Sequence, residues 1–129
     1  MNNLLAYIID LEHYDDERGT LTVIDEVLPF EIKRTYYITN VNHLERGGHR
    51  HLELVEAIIC MNGSFTVGID NGVKKQEFIL DNPHKCLIIE VGEWHNFYNF
   101  SNGAILESLA STHYNHADYI YEPYTHRNI

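Results

Sequence analysis

The chain is short of positive charge. It has 9 Lys and Arg against 19 Asp and Glu, a formal net charge of −10 over 129 residues. That balance argues against a nucleic-acid polymer as partner, because phosphate binding needs a cationic surface to displace counterions. It argues equally against an electrostatic membrane anchor. No apolar run approaches the length needed to cross a bilayer. The N-terminus, Met1-Asn2-Asn3-Leu4, has no basic stretch followed by an apolar run, so no signal peptide is expected and a cytoplasmic location is. There are only two cysteines, Cys60 and Cys86, each inside an apolar run. They are expected to be buried, reduced thiols. Prolines number three, and the chain shows no linker, repeat or low-complexity tract. At this length one domain, residues 1–129, can bury a core without staples.

What is present is a succession of short apolar, β-branched and aromatic runs bounded by Gly, Asn, Asp or Pro. The expected strands are Leu5–Ile9, Leu21–Ile24, Ile32–Thr39, Glu53–Met61, Ser64–Ile69, Lys75–Leu80, Cys86–Val91, His95–Asn99 and Ala104–Ala110. Asn62-Gly63, Asp70-Asn71-Gly72, Asp81-Asn82-Pro83 and Ser101-Asn102-Gly103 supply the turns. No helical period emerges before residue 110, and Asn115–Tyr121 is left as a short helix or irregular turn. Many short strands at even spacing predict an all-β sandwich or barrel. Phe65, Val67 and Ile69 alternate on one face, as a strand lining a core does.

Histidine is over-represented, with nine residues, as many as Lys and Arg together. Three of them fall in a two-part pattern. The first part is HxHx₄Ex₆G, comprising His49, His51, Glu56 and Gly63; the second is GxxHx₃N, comprising Gly92, His95 and Asn99. In an extended strand His49 and His51 share a face. Three readings of the set stay open. Three imidazoles and a carboxylate are a metal-ligand set; in a metal-free cavity imidazoles move protons near neutral pH; and His49 and His51 could be ordinary core or surface polar residues with no chemistry to do. The other six, His13, His43, His84, His113, His116 and His126, are read as surface or interface residues.

The two-part pattern resembles that of the cupins, which are jelly-roll barrels. The resemblance narrows over nearly the whole chain to the sugar 3,4-ketoisomerases, also described as WxcM-like. It is carried by Glu17-Arg18-Gly19-Thr20-Leu21, the run from Leu28 to Ile38, Arg46-Gly47-Gly48-His49-Arg50-His51, Asn62-Gly63-Ser64, Trp94-His95, Phe100-Ser101, Leu109-Ala110-Ser111 and Asp118-Tyr119-Ile120. The resemblance implies a cupin jelly-roll and isomerisation of dTDP-4-keto-6-deoxyglucose to a 3-keto sugar, an early step toward 3-amino-3,6-dideoxy sugars of surface polysaccharide. It implies no metal and no cofactor. It also implies a homodimer, often with N-terminal strands exchanged between subunits, to which the apolar run Leu4–Ile9 is suited as a strand that should not stay an exposed edge.

Carried over by resemblance, His49, His51 and Tyr37 are the catalytic residues and Arg46-Gly47 belongs to the substrate site. The chemistry agrees with these residue types. Imidazole can take and return the proton alpha to a ketone, and a phenol can stabilise an enediolate oxygen. Arg46, Arg18 and Arg34, with Arg50 behind them, are candidates for the diphosphate, since guanidinium forks pair with phosphate. His95, Glu56 and Trp94 complete the expected substrate-binding set, Trp94 as core or cavity wall. The chain departs from the family at Arg50, commonly Ala, at Leu52, commonly Lys, and at Glu56, commonly Gln. Glu56 restores the spacing of a cupin metal site, or tunes a neighbouring histidine.

Overall fold

The computed structural model describes residues 5–126; Met1-Asn2-Asn3-Leu4 lies outside them. Twelve strands form two five-stranded antiparallel sheets and one hairpin. The first sheet runs β1 (Tyr7–Asp10), β9 (Lys85–Ile89), β6 (Glu56–Asn62), β11 (Ile105–Ala110), β4 (Arg34–Ile38). The second runs β12 (Tyr119–Ile120), β5 (Arg46–His51), β10 (Trp94–Tyr98), β7 (Phe65–Asp70), β8 (Lys75–Leu80). The hairpin pairs β2 (His13–Asp16) with β3 (Gly19–Thr22).

The expected strands recur with shifted ends, and the expected turns sit between them. Gly63, Gly72 and Gly103 all take left-handed backbone. Three strands were not among those expected: β2, β5 and the two-residue β12, which lies in the stretch expected as a short helix or irregular turn. Strand β2, His-Tyr-Asp-Asp, is polar and exposed throughout, so no apolar alternation marks it. Strand β5 is Arg-Gly-Gly-His-Arg-His, which lacks the β-branched residues of an ordinary strand. It pairs because a bulge absorbs its glycines. His95 faces His49, but the next residue, Asn96, faces Gly47, which leaves Gly48 as the extra residue. Both glycines have positive φ, +79° and +85°. A Cβ on Gly47 would lie 3.1 Å from the His95 carbonyl oxygen, so β5 approaches β10 closely only with glycine there.

The two sheets pack inner face to inner face. Ile58, Cys60, Leu87, Ile89 and Leu106 of the first sheet meet Phe65, Val67, Ile69, Leu80 and Phe97 of the second. The outer face of the first sheet is also apolar. Ala57, Ile59, Cys86, Ile88 and Leu109 are covered by Leu11, with Leu28 and Phe30 packed against them. Both cysteines are buried and free. Among the described residues no helix is long and apolar enough to cross a membrane.

Candidate functional site

The inner face of β5 and the facing end of the first sheet bring the polar residues together. His49 and His51 project inward from β5 and His95 from β10. Their rings form a compact group, with centroids 4.9 Å apart for His49–His51, 4.9 Å for His49–His95 and 5.7 Å for His51–His95. Opposite them stand Glu56 at the start of β6, Ser108 on β11, and Arg34 and Tyr36 on β4, with Ser108 and Tyr36 paired across the strands. Tyr119 closes the group from β12. Its ring lies 4.8 Å from that of His49 and 4.6 Å from that of His51.

Two of the three imidazoles are fixed by their Nδ1 atoms. His51 Nδ1 lies 2.9 Å from Asp118 Oδ2, and Asp118 Oδ1 accepts the backbone N–H groups of Leu52 at 3.0 Å and Glu53 at 2.7 Å. A carboxylate only accepts, so His51 carries its hydrogen on Nδ1 and leaves Nε2 as a free lone pair. His95 Nδ1 donates to the Glu93 carbonyl at 2.9 Å, with the same consequence for its Nε2. Both Nε2 atoms are buried without a hydrogen-bond partner among the described residues, and so is Glu56 Oε1, 3.5 Å from His95 Nε2. Unpaired buried polar atoms are rare in a folded protein.

The electrostatics follow from dryness. Burial pushes the His49 pKa down to about 4, helped by the nearby His51. It pushes His95 down to about 3 against its hydrogen bond to Glu93. His51 is lowered too, burial outweighing the opposing pull of Asp118. The imidazoles are therefore neutral at pH 7. Burial raises Glu56 to about 7, only partly offset by Arg34, Tyr36 and Ser108. Burial, and then the Glu56 charge, carry the Tyr36 phenol well above its ordinary range.

The structure redistributes the residues expected at the site. Tyr37 and Tyr36 alternate on β4, and the inward one is Tyr36, whose hydroxyl lies 3.5 Å from Glu56 Oε2. Tyr37 points outward and is 71% exposed, which corrects its expected place in the site; the pleat allows only one of two neighbours to face inward. Arg34 is the guanidinium within the group. It lies over the Tyr36 and Tyr114 rings at 5.9 and 5.7 Å, and its Nε is buried without a partner among the described residues. Arg46 is exposed at the opposite end of β5 from His51. Arg18 sits at the hairpin turn and pairs with Asp16, 2.5 Å away, rather than with a site residue. Gly47 serves the bulge. Trp94 points to the outer face, where its Nε1 donates to the Tyr121 carbonyl at 3.2 Å. There it lines a cleft of about 700 Å³ together with Asp70, Tyr98 and Tyr124. That cleft contains none of the three inward histidines.

From the sequence, Asp118 and Tyr119 enter only within the Asp118-Tyr119-Ile120 run that carries the resemblance, Tyr36 only as the alternative to Tyr37, and Tyr121 not at all; none of the four is assigned to the site. Asp118 lies 67 residues from His51, and only the fold shows that they meet. Locally, Asn115 accepts from the Ala117 N–H and caps a short 3-10 turn that delivers Asp118 to His51. The ring nitrogens of His49, His51 and His95 lie within 4.8 Å of one another, so these residues, with Glu56 beside them, could close on a transition-metal ion.

Comparison with known proteins gives the family. Residues 5–129 match the family model described as WxcM-like, C-terminal (FdtA). A relative from Aneurinibacillus thermoaerophilus, named TDP-4-oxo-6-deoxy-alpha-D-glucose-3,4-oxoisomerase, is 39% identical over 88% of this chain and 84% of its own. A crystal structure of a 3,4-ketoisomerase from Helicobacter canadensis superposes with a TM-score of 0.88 at 37% identity, covering 91% of this chain and 90% of that one. A mutant of the 3,4-ketoisomerase QdtA from Thermoanaerobacterium thermosaccharolyticum, solved with TDP-4-keto-6-deoxyglucose, gives 0.89 at 33% identity over 95% and 90% of the two chains. The chain belongs to the WxcM-like, C-terminal family.

Proposed function

We infer that this chain is a nucleotide-sugar 3,4-ketoisomerase acting on dTDP-4-keto-6-deoxyglucose. The observation that carries the reading is the neutral His51 Nε2, oriented by Asp118 and unpaired within a dry group of proton carriers. It is supported by the relatives of that activity, each similar over most of the chain. His51 Nε2 removes the C3 proton, and the electron pair moves through C4 to O4, giving an enediolate. O4 takes a proton from a neighbouring acid. The proton of the 3-hydroxyl leaves as O3 becomes the ketone, and C4 receives a proton from an imidazole. The sum moves two hydrogens and oxidises nothing overall. His49 stands next to His51 for the return of the proton. Tyr36, its phenol kept protonated, and Arg34 are the donors offered to a developing oxyanion in this reading. Arg34 also supports the diphosphate, and Asp118 stabilises the imidazolium as it forms. The chain acts as a single domain, in the cytoplasm, as a homodimer.

The cluster of His49, His51 and His95 favours one second reading, a metal-dependent cupin in which Glu56, 3.5 Å from His95 Nε2, would be the fourth ligand. A bound transition metal would supply a Lewis acid for the keto oxygen. Stoichiometric metal in protein purified without added metal moves the assignment there.

The direct test is incubation with dTDP-4-keto-6-deoxyglucose in deuterium oxide, followed by proton NMR. The expected product is a 3-keto sugar with deuterium at carbon 4, and none with His49→Asn. Unchanged substrate with the native enzyme contradicts the reading.

A further inference from the structure

Arg50 stands between the two inward histidines of β5, so the pleat sends its side chain to the opposite face. There the guanidinium lies 4.3 Å from the ring centroid of Tyr124, and Nη1 donates to the Tyr124 hydroxyl at 2.8 Å. The same hydroxyl donates to the Gly92 carbonyl at 2.6 Å, and the Gly92 N–H donates to the His51 carbonyl at 2.9 Å. Tyr124 is thereby tied to β5 and to the turn at Gly92 that leads into β10. Its ring fits over Gly72, where an added Cβ would come within 3.2 Å of it.

The chain leading to Tyr124 has little apolar packing to hold it. Tyr119–Ile120 makes a two-residue ladder with β5, and Tyr121, Glu122 and Pro123 are exposed. Yet this segment carries two aromatic rings to His49, Tyr119 at 4.8 Å and Tyr121 at 6.1 Å. Asp118 is anchored separately by His51 and by two backbone N–H groups. Beyond Asp118, which orients the base, the segment is held by the short β12 ladder, by the Trp94 Nε1 bond to the Tyr121 carbonyl, by the Arg50–Tyr124 contact and by His126, whose Nε2 lies 2.8 Å from Asp70 Oδ1; the Arg50–Tyr124 contact is the one that ties it to the outer face of β5.

We propose that Arg50 and Tyr124 are positioning residues, a clasp on the outer face of β5 that fixes Tyr119 and Tyr121 against His49 and so shapes the wall on which the substrate rests. Its kinetic consequence rests on the ketoisomerase reading; its structural consequence does not. Opening the clasp loosens the wall and spares His51, so it weakens substrate binding and leaves proton transfer intact.

The test uses Arg50→Ala, with Arg50→Lys as rescue. Trp94 is the only tryptophan of the chain, and its Nε1 donates to the Tyr121 carbonyl, so its emission reports where the segment lies. Arg50→Ala is expected to shift Trp94 emission to the red and to increase quenching by acrylamide. KM for dTDP-4-keto-6-deoxyglucose is expected to rise about tenfold, the loss of one partly desolvated cation–aromatic contact. The value of kcat and its pH profile should stay within about twofold, since the general base and its partner are untouched. Arg50→Lys should restore part of both signals. Unchanged emission and KM in a folded Arg50→Ala variant overturn the proposal, as does a parallel fall in kcat with a displaced pH profile. If the native enzyme proves inactive on this sugar, the emission and quenching of Arg50→Ala still decide whether the clasp holds the segment.

Discussion

At one end of the barrel interior, Phe65, Val67, Leu87 and Leu106 close against one another with almost no surface left in solvent. At the other, His51, Glu56, His95 and Ser108 are equally buried, yet Nε2 of both histidines and Oε1 of Glu56 have no partner among the described residues. The same strands build both ends: β6 contributes Glu56 to one and Ile58 and Cys60 to the other, and β10 contributes His95 and then Phe97. The apolar end gains stability from burial. The polar end loses some, because desolvated groups lack full compensation. Its histidines are neutral and its carboxyl is poised near neutrality for that reason. A fold that places unpaired proton carriers on rigid strands has them pre-oriented for chemistry.

The contrast can be broken from either side. His51→Asn should reduce turnover by about 10²–10⁴-fold, the range for loss of a general base, with the fold retained; turnover by NMR and circular dichroism check it. Asp118→Asn should have a smaller effect, about 10–100-fold, because it leaves the imidazole but removes the partner that fixes its tautomer. At the apolar end, Leu87→Ala should lower stability by about 2–5 kcal/mol in a urea melt while the folded fraction keeps its kcat. The last effect concerns Glu56. Its pKa is raised on folding to about 7 from 4.5, so the folded state is favoured below about pH 4.5 and that advantage is lost as pH rises through 7. Glu56→Gln should therefore gain stability progressively between pH 5 and 8, by at most about 3 kcal/mol, in melts across that range. The histidines have the opposite sign. With folded values lowered to about 4 for His49 and about 3 for His95, their contribution is complete above pH 6.5 and is lost as pH falls toward those values.

The apolar end was legible in the sequence because burial writes a period-two pattern, as in Phe65, Val67 and Ile69. The polar end was legible only where neighbours in sequence are neighbours in space. His49, His51, Glu56 and His95 form a spaced motif. Asp118 and Tyr119 arrive from the far end of the chain and leave no periodic trace. Tyr36 and Tyr37 show the limit most plainly. Alternation requires that only one face inward, but which one depends on the register of β4 against β11, where Tyr36 pairs with Ser108. Strand β5 was obscured because its glycines, which make the bulge possible, resemble a loop.

The central claim is that the polar end holds neutral imidazoles with Nε2 left free. A ¹⁵N-edited NMR titration of the histidines tests it most directly. The expected result is that His51 and His95 carry hydrogen on Nδ1 at pH 7, and that His49 and His95 stay neutral until about pH 4 and about pH 3. Ordinary titration of these rings near pH 6.5, or hydrogen on Nε2 of His51, would contradict it.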